Sequence, residues 1–145
     1  MQVDFYHLTR QPIARVLPQL AERVVTTGAR LLIVTAEAEQ RATIDRLLWE
    51  YSPASFLPHG QAGDGDDAAQ PVLIAGEPVA ANGARNILIA DGQWRDEALS
   101  FDRAFHLFDE SAITPARAAW KALAEREGVE RRYWKQGERG WEQAG

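Results

Sequence analysis

Arg117, Trp120 and Lys121 are the residues whose types and spacing suggest recognition chemistry most directly. At about 100° per residue, a helix places Ile113, Ala116, Trp120 and Leu123 on one narrow stripe, with Arg117 and Lys121 along one edge of it. An apolar stripe bordered by two cations suits a ligand that carries an apolar group beside a carboxylate. By itself Trp120 reads more readily as a core residue. Downstream, Arg131-Arg132-Tyr133-Trp134-Lys135 adds further cations and aromatics. That interleaving is also the pattern on which single-stranded nucleic acid stacks.

Other chemistries find little support. There is no Cys, which excludes disulfides, thiolate metal sites and Cys nucleophiles. His7, His59 and His106 are far apart, so a metal site would need three distant elements to converge; His7 and His106 read as satisfied structural histidines. The paired carboxylates Asp66 and Asp67 sit in a Gly-rich polar stretch, a poor frame for catalytic geometry. Thr9, Arg10, Gln11 and Pro12 stand where a dinucleotide-binding glycine motif would follow the first strand, and no phosphate-loop or nucleophile-elbow motif occurs. The expected catalytic, metal and cofactor sets are therefore empty.

The elements that must hold these residues follow from hydrophobic patterning. Val3–Leu8, Leu31–Val34, Val72–Ala75, Ile87–Ala90 and Ala104–Phe108 read as strands, and the continuously apolar LLIV and ILIA indicate strands buried on both faces of a parallel sheet. Ile13, Leu17, Leu20 and Val24 give a helix from Pro12 to about Thr27, with Gly28 at its stop; Pro18 must mark its first turn or bend it. A second helix begins after Thr35, with Ile44, Leu47 and Leu48 as its core stripe, and a third runs from about Thr114 to Glu125. The alternation predicts an α/β fold: a Rossmann-like three-layer sandwich with a mainly parallel sheet flanked by helices and no nucleotide-binding glycine motif. Residues 1–136 read as one domain and 137–145 as a flexible tail. Residues 60–70 read as a surface loop.

The length of 145 residues suits one domain with a sizeable core. The net charge of −5 opposes tight non-specific binding to duplex phosphates. The balance is uneven: residues 1–113 hold 9 Lys/Arg against 16 Asp/Glu, whereas residues 114–145 hold 7 against 5, including both lysines. No membrane span or signal peptide is read, and a cytoplasmic location is expected.

A second surface is suggested by Trp49, about 140° round its helix from Ile44 and so off the apolar stripe. It is followed by Tyr51–Gly60, where Phe56 and Leu57 lie between prolines. Such a loop serves either as a lid on the core or as a surface that a partner buries.

At these residues the chain resembles the chi subunit family of bacterial DNA polymerase III. The resemblance begins at VDFYHL (Val3–Leu8), is most specific in DRLLWEYSPASFLPHG (Asp45–Gly60), and is completed by ARAAWKAL (Ala116–Leu123) and YWK (Tyr133–Lys135). It implies a non-catalytic accessory subunit of the polymerase holoenzyme that links the clamp loader to single-stranded DNA-binding protein. One implied partner is the acidic C-terminal tail of that protein, which ends in an apolar residue and Phe. The other is the psi subunit, or another clamp-loader or helicase partner; DNA would be contacted only indirectly. Carried over by motif, the tail site consists of Arg117, Trp120 and Lys121, with Phe108 as an apolar wall and Lys135 nearby. A further family lysine falls on Ile113 here, with Arg131 or Lys135 as its candidate replacement. The psi-like face consists of Phe56, Trp49 and Leu57. The residue pattern leaves two alternatives: a direct single-strand binder using the basic, aromatic C-terminal segment, and an enzyme built on a degenerate Rossmann scaffold with a pocket at the strand ends.

Overall fold

The computed structural model describes residues 1–51 and 57–144. Its eight-stranded sheet has the order β3-β4-β2-β5-β6-β1-β7-β8. The strands are β1 (Gln2–His7), β2 (Leu31–Val34), β3 (His59–Gln61), β4 (Val72–Ala75), β5 (Asn86–Ile89), β6 (Arg103–Phe108), β7 (Glu130–Gly137) and β8 (Gly140–Ala144). All neighbours are parallel except β7 and β8, which form an antiparallel pair. The helices are α1 (Ile13–Thr26), α2 (Ala38–Glu50) and α3 (Ile113–Leu123).

The three-layer arrangement follows from two separate cores. Leu17, Leu20, Val24, Ile44 and Leu48 of α1 and α2 pack with Tyr6, Ile33, Ile74, Leu88 and Leu107 on one sheet face. Ala116, Ala119 and Leu123 of α3 pack with Val3, Phe5, Leu32, Ile87 and Phe108 on the other. All four residues of β2 and of β4 are buried, as the continuous apolar runs require. Each such Leu or Ile contributes about 1.5–3 kcal/mol relative to exposure.

Pro18 lies inside α1, which starts at Ile13; its ring leaves the Ala14 carbonyl without the usual amide donor. Gly28, at φ 85°, takes the left-handed turn that ends the helix. Within the stretch read as a loop, His59–Gln61 forms the short edge strand β3 beside β4.

The C-terminal segment differs most from the sequence expectation. Residues 130–137 form β7, which pairs with β1 from Gln2↔Glu130 to His7↔Lys135. Residues 140–144, read as tail, form β8, with Gln136 opposite Trp141. β1 is thereby an interior strand, flanked by β6 and β7.

Candidate functional site

Two regions collect polar and charged groups, and their geometries differ. The first lies between α3 and β7. Strand alternation sends Val3 and Phe5 of β1 and Tyr133 of β7 toward the α3 face, while Tyr6 of β1 and Trp134 of β7 meet the opposite core. The basic, aromatic run is thus divided between the two sheet faces rather than forming one stacking platform.

On the α3 face, Trp120 is half-buried, edge-on to Phe5 at 5.4 Å and to Tyr133 at 5.5 Å between ring centroids. The Arg131 guanidinium lies 3.9 Å from the Trp120 ring centroid and donates to the Trp120 carbonyl at 2.7 Å. This contact combines a cation–π interaction with a tie between helix and strand. Arg117, Lys121 and Lys135 are exposed, and among the described residues none has an ion-pair partner. The structure therefore brings Arg117, Trp120 and Lys121 to one surface, with Arg131 against the indole.

Behind them stands a relay that sequence spacing concealed. The Nε2 of His7 lies 2.8 Å from Glu110 Oε1, and its Nδ1 lies 3.1 Å from the Tyr133 hydroxyl. An ionised carboxylate only accepts, so a neutral His7 carries its proton on Nε2 and accepts the Tyr133 O–H at Nδ1. Burial pushes the Tyr133 phenol up, with Arg117 lowering it and Glu110 raising it. The hydroxyl accordingly stays protonated and is aimed inward. Phe108, expected as a pocket wall, is 3 % exposed and packs against His7 and Tyr133, so its place is behind the surface.

The second region is the crevice at the C-terminal ends of the strands, a cavity of about 590 Å³ bordered by Arg10, Glu37, Asp91 and Asp109. In open α/β sheets this is the usual place for a nucleotide. Here the backbone N–H groups of Thr9, Arg10 and Gln11 all point to one atom, Gln136 Oε1, at 2.9, 2.8 and 2.9 Å. The donors that would cradle a phosphate are filled by the chain's own carboxamide. Asp91 is likewise committed. It receives Arg95 Nη1 and Nη2 at 3.0 and 2.8 Å, the Ala36 N–H at 2.9 Å and the Gln93 N–H at 3.1 Å. Burial raises the Asp91 carboxyl, but the bonds from Arg95 and the two backbone amides outweigh it and hold the group below the usual carboxylate range. Among the described residues no cluster of three His, Cys, Asp or Glu is arranged to hold a metal ion. None of their helices is long and apolar enough to cross a membrane.

His106, read as a satisfied histidine, proves otherwise: it is fully buried and neither ring nitrogen has a hydrogen-bond partner. It packs edge-on to Phe5 at 5.1 Å and to Trp94 at 5.6 Å, and burial pushes its pKa down to about 4. The apolar neighbours Phe5 and Phe108 explain this: strand position placed the ring in the core without supplying acceptors.

On the far side, Trp49 is 58 % exposed and its ring lies 4.7 Å from that of His59. His59 is buried, its Nδ1 2.7 Å from the Leu57 carbonyl and its Nε2 3.0 Å from the Asp45 carbonyl. Leu57, expected on the partner face, is instead 3 % exposed within the α1–α2 core. Phe56 lies outside the described residues.

The fold and its surfaces define a class: a doubly wound α/β domain whose strand-end backbone donors are taken by its own Gln136 and which, among the described residues, carries two cations without ion-pair partners on a helix beside an aromatic residue. Residues 1–130 match the family described as "DNA polymerase III chi subunit, HolC", and the chain belongs to that family. It is 29 % identical over 113 residues to the "DNA polymerase III subunit chi" of Escherichia coli (strain K12), covering 76 % of this chain and 77 % of that one. It is 36 % identical over 81 residues to the protein of the same name from Pseudomonas aeruginosa, covering 53 % and 56 %. To the "Probable DNA polymerase III subunit chi" of Rickettsia prowazekii (strain Madrid E) it is 28 % identical over 88 residues, covering 61 % and 53 %. The chain thus spans about half the length of the Rickettsia and Pseudomonas relatives.

Proposed function

We propose that this chain is an accessory subunit of the replicative DNA polymerase, without chemistry of its own, and that its α3–β7 face binds the acidic C-terminal tail of single-stranded DNA-binding protein. The observation that carries this reading is the pair Arg117 and Lys121, one helical turn apart, exposed, without ion-pair partners among the described residues and beside a half-buried Trp120. A terminal carboxylate pairs with the cations while its apolar ring seats against the indole. Arg131 supplies the further positive charge that Ile113 does not. The exposed Trp49 is the contact we assign to a second protein, a psi subunit or another clamp-loader or helicase partner. DNA is reached through these partners.

The test is isothermal titration of a short acidic peptide ending in Pro-Phe, with a free carboxylate, against an amidated copy. Micromolar binding that is lost on amidation and weakened in Lys121→Glu supports the reading. If both peptides bind equally, or neither binds, the tail site is not on this chain.

A further inference from the structure

The sheet face under α1 carries a second concentration of positive charge, remote from α3. Asp4 of β1 is fully buried and accepts from Arg103 Nε at 2.9 Å, Trp134 Nε1 at 3.0 Å and Gln2 Nε2 at 2.9 Å. Arg103 Nη2 at 2.9 Å and Arg132 Nε at 3.3 Å complete its shell. One carboxylate therefore faces two guanidiniums, and one positive charge is left over. A third cation, Arg23 of α1, lies nearby with no hydrogen bond or ion pair among the described residues. The Tyr6 hydroxyl likewise has no hydrogen-bond partner among the described residues. Burial and the Asp4 carboxylate push its phenol up, against Arg103, Arg23 and Arg132, so it remains a donor.

Of these groups Tyr6, Arg23 and Arg103 border a cavity of about 310 Å³ with Leu20, Val24 and Phe105 as its apolar floor. The Arg103 guanidinium sits 4.5 Å from the Phe105 ring centroid, which holds the charge at the edge of that floor. The volume falls at the low end of the range for small-ligand sites, roughly 300–1,000 Å³. Two effects compete for the charge a ligand should carry. The C-terminal end of α1 presents about half a negative unit, which opposes an anion. Arg23, which has no carboxylate partner among the described residues, and the edge of Arg103 that Asp4 leaves uncovered outweigh it. The larger crevice at the strand ends offers no comparable case, because its amide donors are filled by Gln136 and its rim is acidic.

We infer that this cavity binds an aromatic carboxylate the size of a single residue, its ring on Leu20, Val24 and Phe105 and its carboxylate held by Arg23, Arg103 and the Tyr6 hydroxyl. A planar carboxylate matches the guanidinium fork, and a monoanion loses less hydration against an aromatic floor than a phosphate dianion does. Either a free acid or the end of a peptide chain presents this chemistry. The assignment is independent of the α3–β7 reading.

The experiment is amide chemical-shift mapping on the full chain, labelled with nitrogen-15 and titrated with 3-phenylpropanoate, its neutral amide, and the tripeptide Gly-Gly-Phe with a free carboxylate. The expected result is saturable shifts at Val24, Asn86 and Phe105 at millimolar concentrations or below, absent with the neutral amide. Arg23→Glu, on an exposed side chain, should weaken the response about tenfold, and Tyr6→Phe should weaken it a few-fold. Saturation by the free acid alone identifies a small molecule as the occupant, and saturation by the tripeptide at the same residues identifies a chain terminus; both support the pocket. Absence of shifts, equal shifts with the neutral amide, an unchanged response in Arg23→Glu, or shifts confined to Trp120 and Tyr133 would overturn it.

Discussion

The strand-end crevice and the α3–β7 face contain the same kinds of groups in opposite states. In the crevice, three backbone amides converge on Gln136 and two backbone amides and Arg95 converge on Asp91. On the α3–β7 face, Arg117, Lys121 and Lys135 stand exposed without ion pairs among the described residues. Groups whose hydrogen bonds are all made within the chain hold the fold; groups left unpaired at the rim of an aromatic surface are available to a partner. At the position where the general fold places a ligand, the chain's own groups take the backbone donors; on the function proposed above, recognition falls on a helix face.

The comparison can be broken most forcefully at Gln136. Gln136→Leu strands three donors, each costing about 1–3 kcal/mol and partly rehydrated, so urea denaturation should show a loss of about 4 kcal/mol. Gln136→Glu, which keeps the acceptor, should lose less. An unchanged midpoint in Gln136→Leu would mean that the carboxamide is not the clasp.

Next in size is a pH effect from His106. Its folded pKa of about 4 lies below the ordinary 6.5, so the unfolded chain takes up the proton first. Its contribution is complete above pH 6.5, is lost as pH falls from 6.5 to 4, and amounts to about 3 kcal/mol. His106→Phe should flatten that part of a stability-versus-pH curve; if the slope persists, another group causes it.

On the face proposed to bind the tail the effects should appear in binding and not in stability. Lys121→Glu should weaken tail-peptide binding by roughly 1–3 kcal/mol and shift the unfolding free energy by less than about 0.5 kcal/mol. Unchanged titration isotherms in this variant would remove Lys121 from the site. Trp49→Ser should be smallest, under about 1 kcal/mol in thermal unfolding, because the indole is mostly exposed. A larger loss would show that its packing on His59 contributes to the fold.

Legibility in the sequence followed burial. β2 and β4 are buried along their whole length and were readable as apolar runs, and α1 and α3 as stripes. β3, β7 and β8 were not: they lie at or near the sheet edges, carry polar or charged residues, and owe their conformation to the strand beside them. Arg117, Trp120 and Lys121 were legible because one helix supplies all three. The His7–Tyr133–Glu110 relay was not, because its members lie 103 and 126 positions apart and meet only through the pairing of β1 with β6 on one side and β7 on the other. Unpartnered His106 shows the complementary limit: alternation tells which face a ring enters, not what waits there.

The placement of β1 between β6 and β7 has a kinetic consequence. Val3 pairs with Ala104 on one side and Arg131 on the other, so neither edge of this strand has a partner within a hundred residues along the chain. Such non-local pairing pays its loop-closure entropy before any contact returns it, and it slows folding. During synthesis, β2, β4 and β5 can assemble while β1 waits. The apolar residues Val3 and Phe5 then stay uncovered until α3 and β7 have emerged, and that interval is when this chain is most open to aggregation or to capture by a chaperone.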